Sequence, residues 1–300
     1  MSPSEFIQVA IGDLNGQMSC AQSMHSIKED GAFIYFGEPD RQEDIGVSYP
    51  SDVSAVLAQI ENDSFWFRHR NRLITEMAAK YAPGARFCDV GGGNGIVAQA
   101  MMQAGHEVLL LEPGLTACKE ARETRKIPVV YQCILEEAPM PKGSISLLGA
   151  FDVVEHIEDP VNFLRQTRDL ATTDATLLIT VPAFQSLWSQ EDIDAGHYRR
   201  YTKRTMRQHL EAAGWKVERI FYFFSMLPLP IFMKRSIPYR LGQNQTGAYS
   251  SVETASKDHV PSNSSVIRMV DGYLSLESKL IHSKLAPSLG SSLFAVAKKA

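Results

Sequence analysis

The stretch CDVGGGNG, residues 88–95, decides the fold, because it places four glycines in five positions between an apolar segment and one with helical spacing. Glycine in such number costs backbone entropy, so it indicates a turn that brings the chain close to a ligand. The dinucleotide pattern Gly-x-Gly-x-x-Gly fails, because its third glycine would fall at Ile96, and no Gly-Lys-Ser/Thr of a phosphate-binding loop follows. The pattern that fits is acid-x-Gly-x-Gly-x-Gly, formed by Asp89, Gly91, Gly93 and Gly95.

This turn suits a compact ligand that joins an amino acid to a nucleoside, because it has no diphosphate to hold. Asp89 would lie beside the ammonium group of such a ligand as its counter-charge. Glu112 closes the next apolar segment, roughly 20 residues on, where an acid accepts hydrogen bonds from ribose hydroxyls. The alternative is a tight turn without a ligand and a surface Glu112. The agreement of strand, glycines, helix and acid favours the ligand site.

Apolar segments alternate with segments of helical spacing from residue 85 onward. The predicted strands cover residues 85–90, 106–112, 128–135, 144–154, 175–182, 215–224 and 291–299. The predicted helices cover residues 96–105, 115–126, 161–171, 202–214 and 266–285, and an earlier one ends at Pro83. Strands that are apolar on both faces and alternate with helices indicate a parallel sheet covered on both sides. We therefore expect an α/β fold with a doubly wound, Rossmann-like sheet of seven strands, mostly parallel, with an antiparallel last strand.

Composition limits the class of protein. The 300 residues carry a formal net charge of -4, which gives no basic footprint for nucleic acid. The four cysteines lack CxxC spacing, so buried free thiols are expected rather than disulfides. The start of the chain has no basic region followed by an apolar one, which predicts a cytoplasmic protein. The most apolar stretch, residues 220–233, is short and interrupted by Pro228 and Pro230, so it does not predict a transmembrane segment.

Several motifs together resemble the class I S-adenosylmethionine-dependent methyltransferases, in particular a bacterial subgroup similar to the ubiquinone and envelope-saccharide enzymes. DVGGGNG resembles the cofactor loop of that family, and LLLEP its ribose-binding strand end. GAFDVVEHIEDP resembles the segment after its fourth strand, and ITVPAFQSLWSQEDIDAGHYRRYT the loop after its fifth. DSFWFRHRNRLI and SLGSSLFAVAKK match the first helix and the last strand of the subgroup.

The resemblance divides the chain into an N-terminal extension, residues 1–58, and a methyltransferase domain, residues 59–300. A lid insertion of about residues 221–290 precedes the last strand of the domain. The apolar run 220–233 and the polar segment 242–265 are expected to close over the crevice, although contact of the apolar run with a membrane surface is an alternative. Monomer and homodimer both stay open.

The resemblance implies S-adenosylmethionine as the cofactor and assigns residues to it beside the glycine turn and Glu112. Many relatives carry an Asp after the third strand; Ile134 stands there, so adenine recognition would rest on the backbone and on packing by Leu135. Trp66 would cover the adenosyl group, and Arg70 would reach the methionine carboxylate, unless the aromatic ring only packs on the sheet. The remaining cofactor residues are expected to be Pro113, Phe151 and Asp152.

The transferred methyl group should point to the carboxyl ends of the fourth and fifth strands. His156 and His197 are the candidate general bases, because an unperturbed histidine titrates near neutrality. A helix-terminal histidine bonded to the backbone is the alternative for His156. The candidates for acceptor binding are Arg199, Arg200, Tyr201 and Trp188. The two arginines could instead pair with the acids at 191, 192 and 194. No HxxxH pair or Cys-rich cluster predicts a metal.

These observations predict methyl transfer from S-adenosylmethionine to an oxygen or nitrogen of a small-molecule or lipid- or saccharide-linked acceptor. Two alternatives stay open. One is a non-catalytic protein that binds S-adenosylmethionine as a partner subunit, which the Ile134 departure permits. The other is a nucleotide-dependent oxidoreductase, against which the failed dinucleotide pattern argues.

Overall fold

A computed structural model describes the backbone of residues 34–36 and the chain over residues 64–243 and 264–299. The described strands form one sheet in the order β1-β4-β3-β2-β5-β6-β8-β7. Their bounds are Ile34–Phe36 (β1), Phe87–Val90 (β2), Val108–Leu111 (β3), Val129–Tyr131 (β4), Ile145–Phe151 (β5), Ala171–Pro182 (β6), Trp215–Phe223 (β7) and Ser292–Lys299 (β8). The seven strands predicted for the domain are all present, and β1 adds a short eighth strand from the N-terminal extension.

The sheet is parallel except for β8, which runs antiparallel to both of its neighbours, β6 and β7. The predicted antiparallel last strand is therefore confirmed, and it lies inside the sheet rather than at its edge. Strand β1 pairs in parallel with β4, opposite Val129 to Tyr131, so the extension covers one edge of the sheet. The rest of the extension lies outside the described residues.

Helices connect the strands on both sides of the sheet. Their bounds are Phe65–Tyr81 (α1), Ile96–Gln103 (α2), Leu115–Glu123 (α3), Pro160–Leu170 (α4), Gln190–Asp194 (α5), Lys203–Ala212 (α6), Pro228–Ile231 (α7), Ile237–Arg240 (α8) and Ser264–His282 (α9). Several begin at the side-chain caps that the sequence favours. The Thr202 hydroxyl accepts from the backbone N–H of Thr205 at 3.2 Å, which confirms the predicted start of α6. Asp159 caps α4 in the same way, with Pro160 as its first residue.

Two apolar cores lie on the two faces of the sheet. One contains Leu73 and Met77 of α1, with Met101 of α2, packed on one face. The other contains Leu164 of α4 and Met206 of α6, packed on the opposite face. Because every central strand is covered on both sides, the doubly wound arrangement predicted from the apolar strands is confirmed.

The segment between β7 and β8 differs in part from the predicted lid. Phe221 and Phe223 belong to β7 and are buried in the core, so the insertion begins after them. It continues as α7, a π-helical turn at Phe232–Ser236 and α8. Leu229 and Met233 of this segment are 66% and 59% exposed. Residues 244–263, which include most of the predicted polar segment, lie outside the described residues.

The state of the described cysteines agrees with the buried free thiols expected from the composition. Cys88, Cys118 and Cys133 are buried and free, and Cys20 lies outside the described residues. Among the described helices, none combines the length and the apolar character needed to cross a membrane.

Candidate functional site

The order of the strands places a crevice between β2 and β5. The chain winds outward from β2 to β4 on one side and from β5 to β6 on the other, and ligands bind at such a switch point, beyond the carboxyl ends of the strands. Along this edge of the sheet, non-glycine residues with positive φ follow the ends of β5, β6 and β7: Asp152 (57°), Phe184 (58°) and Phe224 (58°). Strained backbone of this kind is concentrated at functional sites.

The glycine turn follows β2 and faces this crevice. Around Gly93, whose φ is +55°, a Cβ would meet nothing within 4 Å, so the turn leaves open space on its outer side. At Gly92, in contrast, a Cβ would lie 2.8 Å from Asp89 Cγ. Gly91 and Gly95 are packed against the protein itself and shape the turn. The open side at Gly93 is therefore the face available to a ligand.

Glu112 connects the turn to the neighbouring strand. It follows β3 and is 4% exposed. Its Oε2 accepts from the backbone N–H of Gly93 at 2.9 Å, and its Oε1 accepts from that of Gly114 at 2.8 Å. A carboxylate offers about four lone-pair sites, and these two bonds use two of them. Glu112 thus lies at the turn, as the prediction of a ribose partner requires.

Asp89, the last acid of β2, is buried beneath the turn. Burial raises its pKa to about 7, although the positive charge of Arg70 opposes this shift. Among the described residues, its Oδ2 has no hydrogen-bond partner. Because an unpaired buried carboxylate is costly, a cationic ligand group in the crevice would find a ready counter-charge.

Arg70 of α1 reaches the same place from the opposite side. Its Nη1 donates to Asp152 Oδ2, and its guanidinium lies 4.6 Å from the ring centroid of Trp66. The Trp66 ring stacks on Phe224 at 5.7 Å, so the aromatic packing foreseen as an alternative is present. Arg70 Nε is buried and has no partner within the described part of the chain. Contact of Arg70 and Trp66 with the cofactor stays a prediction.

The other predicted cofactor residues lie at the rim or below it. Pro113 and Ile134 are half-buried, and Leu135 is buried at the start of the 3₁₀ turn Leu135–Glu137. The ring of Phe151 lies over Gly149, where a Cβ would be 2.4 Å from it, and 6.4 Å from the ring of Phe87. This ring packs in the core, and its contact with the cofactor stays a prediction.

The two candidate bases lie together. The rings of His156 and His197 meet edge to face with their centroids 4.6 Å apart, although 41 positions separate them in the sequence. Burial, and to a smaller extent the neighbouring His197, lower the pKa of His156 to about 4, although hydrogen bonds at the backbone of Ala195 and Gly196 oppose this shift. His156 is thus a neutral imidazole at pH 7, and it also has the backbone contacts foreseen as the alternative.

A buried carboxylate holds the second histidine. Asp192 Oδ1 lies 2.9 Å from His197 Nδ1, and Arg200 donates to both Asp192 oxygens, from Nε at 2.7 Å and from Nη2 at 2.9 Å. Although burial raises the pKa of Asp192, the hydrogen bonds from His197 and Arg200 outweigh it and lower that pKa. The forked side of Arg200 therefore binds Asp192 and not a substrate, as the alternative of an internal ion pair predicted.

The remaining candidates for acceptor binding differ in burial: Arg199 and Trp188 are partly accessible, and Tyr201 is buried. Arg199 donates from Nη2 to the Glu158 carbonyl at 2.9 Å and lies over the Tyr198 ring. Trp188 is half-buried and follows the 3₁₀ turn Gln185–Leu187. Tyr201 is 1% exposed and packs in the core, and its contact with the acceptor stays a prediction.

Two functional candidates escaped the sequence analysis. Glu155 is buried, and burial together with the negative charge of Asp152 raises its pKa well above the usual value. Asp192 was seen only as a possible partner of the arginines, not of His197. The only signals in the sequence are the histidines near them, in the pairs Glu155-His156 and Gly196-His197. Neither pair shows that the two loops meet.

A separate cavity of about 370 Å³ lies between α9 and the segment before β8. Its lining includes Ser225, Glu277 and Leu285. None of the predicted site residues lines it, so we place the reaction at the crevice and not here.

Comparison with known proteins identifies the family of the chain. Residues 61–220, more than half of the chain, match a family model described as a methyltransferase domain. A "Probable S-adenosylmethionine-dependent methyltransferase" of Mycobacterium tuberculosis is 23% identical over 42% of this chain and 46% of its own length. A "Ubiquinone biosynthesis O-methyltransferase" of Xanthomonas campestris is 28% identical over 35% of this chain and 46% of its own length. The chain thus spans about half the length of these curated relatives.

Among solved structures, the [4+2]-cyclase SpnF superimposes with a TM-score of 0.52 and 14% identity, covering 85% of this chain and 98% of that chain. This likeness shows the fold alone. The predicted cofactor, S-adenosylmethionine, is confirmed at the level of the family. The chain therefore belongs to the methyltransferase domain family, as its resemblance to class I S-adenosylmethionine-dependent methyltransferases predicted.

Proposed function

We propose that this protein transfers a methyl group from S-adenosylmethionine to an oxygen or nitrogen of a small-molecule or lipid-linked acceptor. The observation that carries the proposal is the crevice at the switch point. There, the unpaired Oδ2 of Asp89, the open side of Gly93 and the carboxylate of Glu112 converge. In this proposal Asp89 pairs with the ammonium group of the ligand, the open side of Gly93 leaves room for the ligand, and Glu112 accepts from the ribose hydroxyls.

In this reaction the acceptor atom attacks the methyl carbon in line with the C–S bond. A new O–C or N–C bond forms, and the C–S bond breaks with its electron pair left on sulfur, which gives neutral S-adenosylhomocysteine. The acceptor proton passes to a base or to water. Because the leaving group is good, positioning and exclusion of water carry most of the catalysis, and a base adds to it. His156 and His197 are the residues we assign to the acceptor side.

The acceptor is proposed to carry apolar surface. Leu229 and Met233 are exposed on the segment that follows β7, and Phe224 and Trp66 stack at its base. Apolar side chains in such a place suit a hydrophobic acceptor or a membrane-bound one. The name of the Xanthomonas relative makes an oxygen the acceptor atom to test first.

A non-catalytic role in binding S-adenosylmethionine is the second candidate. The fold of a [4+2]-cyclase resembles this one, so fold likeness by itself does not carry methyl transfer. Ile134, where many relatives place an acid, also favours weaker adenine recognition.

Calorimetric titration with S-adenosylhomocysteine and with NAD, followed by mass spectrometry of phenolic and amine acceptors incubated with S-adenosylmethionine, tests the proposal. We expect binding of S-adenosylhomocysteine, no binding of NAD and a product 14 Da heavier, the mass of the CH₂ gained. Cofactor binding without any methylated product across lipid-linked and soluble acceptors would favour the non-catalytic role. Binding of NAD alone would overturn both.

A further inference from the structure

Three metal-ligating side chains meet beside the crevice. Glu155, His156 and His197 each offer one ligand atom, and these atoms all lie within 4.8 Å of one another. The first two come from the segment after β5, three and four residues past Asp152, and the third from the loop after α5. The cluster therefore borders the place where the acceptor is expected.

The carboxylate of this cluster lacks a full set of partners. The side chain of Glu155 is buried, and its Oε2 has no hydrogen-bond partner among the described residues. A buried carboxylate oxygen without a partner is costly unless a proton or a cation neutralises it. The two histidines are the nearest groups with which such a cation could be shared.

The outer contacts of the histidines match those of metal ligands. His197 Nδ1 lies 2.9 Å from Asp192 Oδ1, and Asp192 is itself fixed by Arg200 and by the Ser189 backbone N–H at 2.9 Å. His156 is hydrogen-bonded to the backbone at Ala195 and Gly196. A histidine that ligates a metal almost always donates its other ring N–H to a carboxylate or a backbone carbonyl, which fixes the tautomer. In His197 this arrangement leaves Nε2 for a ligand.

We propose that Glu155, His156 and His197 bind a divalent transition-metal ion of the Zn²⁺ type, with an open position for an oxygen of the acceptor. Two imidazoles and one carboxylate with an open fourth position are the ligand set of catalytic zinc sites. Imidazole donors disfavour Mg²⁺ and Ca²⁺, which prefer oxygen. Tetrahedral bonds of about 2.1 Å place donors about 3.4 Å apart, so the donors must approach by up to about 1.4 Å on binding.

The role of the open position rests on the proposed function, whereas the binding of the ion does not. Untagged, chelator-treated full-length protein is titrated with Zn²⁺ and with Mg²⁺ by calorimetry, without S-adenosylmethionine. We expect one Zn²⁺ per chain and no measurable binding of Mg²⁺. Co²⁺ added to the same protein should give the intense visible bands of a four-coordinate ion.

Variants then locate the ion. Glu155→Gln, His156→Ala and His197→Ala should each weaken Zn²⁺ binding by at least about 100-fold, because loss of an outer-shell partner alone costs about 10- to 100-fold. Asp192→Asn, which removes only the outer-shell charge, should fall in that smaller range. The matched control is His282→Gln, since exposed His282 is bonded to Glu76 at 2.8 Å and not to this cluster. It should bind Zn²⁺ like the wild type.

Several results would overturn the site. These are no stoichiometric Zn²⁺ in the wild-type protein, a Co²⁺ spectrum like that of the hydrated ion, preference for Mg²⁺, or equal losses in the control. The Co²⁺ spectrum needs no variant, so misfolding of a variant does not protect the proposal. Zn²⁺ binding in a protein that methylates nothing would leave this site standing while the proposed function fails.

Discussion

The Oε2 atom of Glu112 lies 2.9 Å from the backbone nitrogen of Gly93, so the acid that follows β3 holds the glycine turn that follows β2. The other oxygen, Oε1, holds the turn after β3 through Gly114 at 2.8 Å. One side chain therefore fixes two loops of the crevice, and we propose that it also binds the ribose. This dual role means that its loss affects both stability and binding.

We predict that Glu112→Ala weakens binding of S-adenosylhomocysteine by about 1.5–3 kcal/mol, the scale for hydrogen bonds to a charged group, or about 10- to 150-fold. It should also lower the melting temperature, because two backbone N–H groups lose their acceptor. Glu112→Gln keeps one carbonyl oxygen and should be less affected in both measurements. Calorimetry and thermal unfolding check this, and wild-type affinity in the alanine variant would show that ribose binds elsewhere.

Gly93→Val is expected to abolish binding of the cofactor, because its side chain would enter the open space on the outer side of the turn. Gly84→Val is its matched control. Gly84 has a similar φ of +66° and equally open surroundings, but it lies in the loop before β2. Both variants should lose similar stability from the strained backbone, and only Gly93→Val should lose binding in a calorimetric titration. Equal binding by the two variants would move the ligand away from the turn.

Asp89 gives the site a pH dependence. Burial raises its pKa to about 7 in the cofactor-free protein, so the carboxyl is mainly protonated below that pH. An ammonium group of the ligand pairs with the ionised form, and the affinity for S-adenosylhomocysteine should therefore fall as the pH is lowered from 8 to 6. Asp89→Asn should bind weakly, with little change over this range. Titrations at several pH values would contradict the assignment if both proteins showed the same slope.

The raised pKa of Asp89 also predicts that replacing this residue stabilises the folded protein. The folded-state pKa of Asp89 lies above the ordinary value of 3.8, so folding favours the protonated form. The cost is absent below about pH 4, grows as the pH rises and is complete above about pH 7. Asp89→Asn should hence raise the melting temperature of the cofactor-free protein at pH 8 more than at pH 5. An equal effect at both pH values would mean that Asp89 is ionised throughout.

Local features of the site could be predicted from the sequence because neighbouring residues determine them. The glycine turn, Glu112 at the end of a strand and the Thr202 cap each depend on a few adjacent positions. Meeting of the loops could not be predicted in this way. His156 and His197 come together only because the chain after β6 folds back over the end of β5, and Tyr198 N–H donates to the Glu155 carbonyl at 2.8 Å there.

Buried polar groups were the main features that the sequence concealed. The sequence analysis did not single out Glu155 and treated Asp192 only as a possible partner of the arginines, yet both are 1% exposed. Phe151 and Tyr201, aromatic residues beside the motifs, were expected at the ligand, and the structure shows that both also pack within the two cores. A sequence motif locates a residue along the chain, but burial and side-chain orientation depend on tertiary contacts that the motif does not specify.

His69 and Glu277 join α1 to α9 over 208 positions of sequence. His69 Nε2 lies 2.9 Å from Glu277 Oε2, and the backbone N–H groups of Phe224 and Ser225 also donate to this carboxylate. Removing one member of such a buried pair typically costs about 3–5 kcal/mol. We predict a loss of this size in Glu277→Leu by urea unfolding at pH 7, and a smaller loss in the double variant with His69→Leu.

The pH dependence of this pair has the sign opposite to that of Asp89. Burial raises the pKa of Glu277, but the hydrogen bonds from His69, Ser225 and the backbone outweigh it and lower the pKa below 4.5. Its contribution to stability is present above that value and is lost as the pH falls through the folded-state pKa. The exposed pair Arg207–Glu211, at 3.3 Å, is the control. Glu211→Gln should change the unfolding free energy by less than about 1 kcal/mol. A loss no larger than this in Glu277→Leu would contradict the role of the buried pair.

The acceptor side is tested by kinetics. His156→Ala and His197→Ala should lower kcat by on the order of a hundredfold, the range for loss of assistance to the departure of the acceptor proton, with little change in cofactor affinity. Asp192→Asn should act through His197, because it keeps the shape of the side chain but removes the charge that Nδ1 faces at 2.9 Å. We therefore expect a fall in kcat that is smaller than in His197→Ala, at an unchanged KM for S-adenosylmethionine. Arg207→Ala, whose exposed side chain is bonded to Glu211 on α6 at 3.3 Å, outside this cluster, should keep the kcat of the wild type. Unchanged kcat in both histidine variants would mean that proximity of acceptor and sulfonium carries the reaction by itself. A rise in the KM for S-adenosylmethionine in Asp192→Asn would place Asp192 on the cofactor side of the crevice instead.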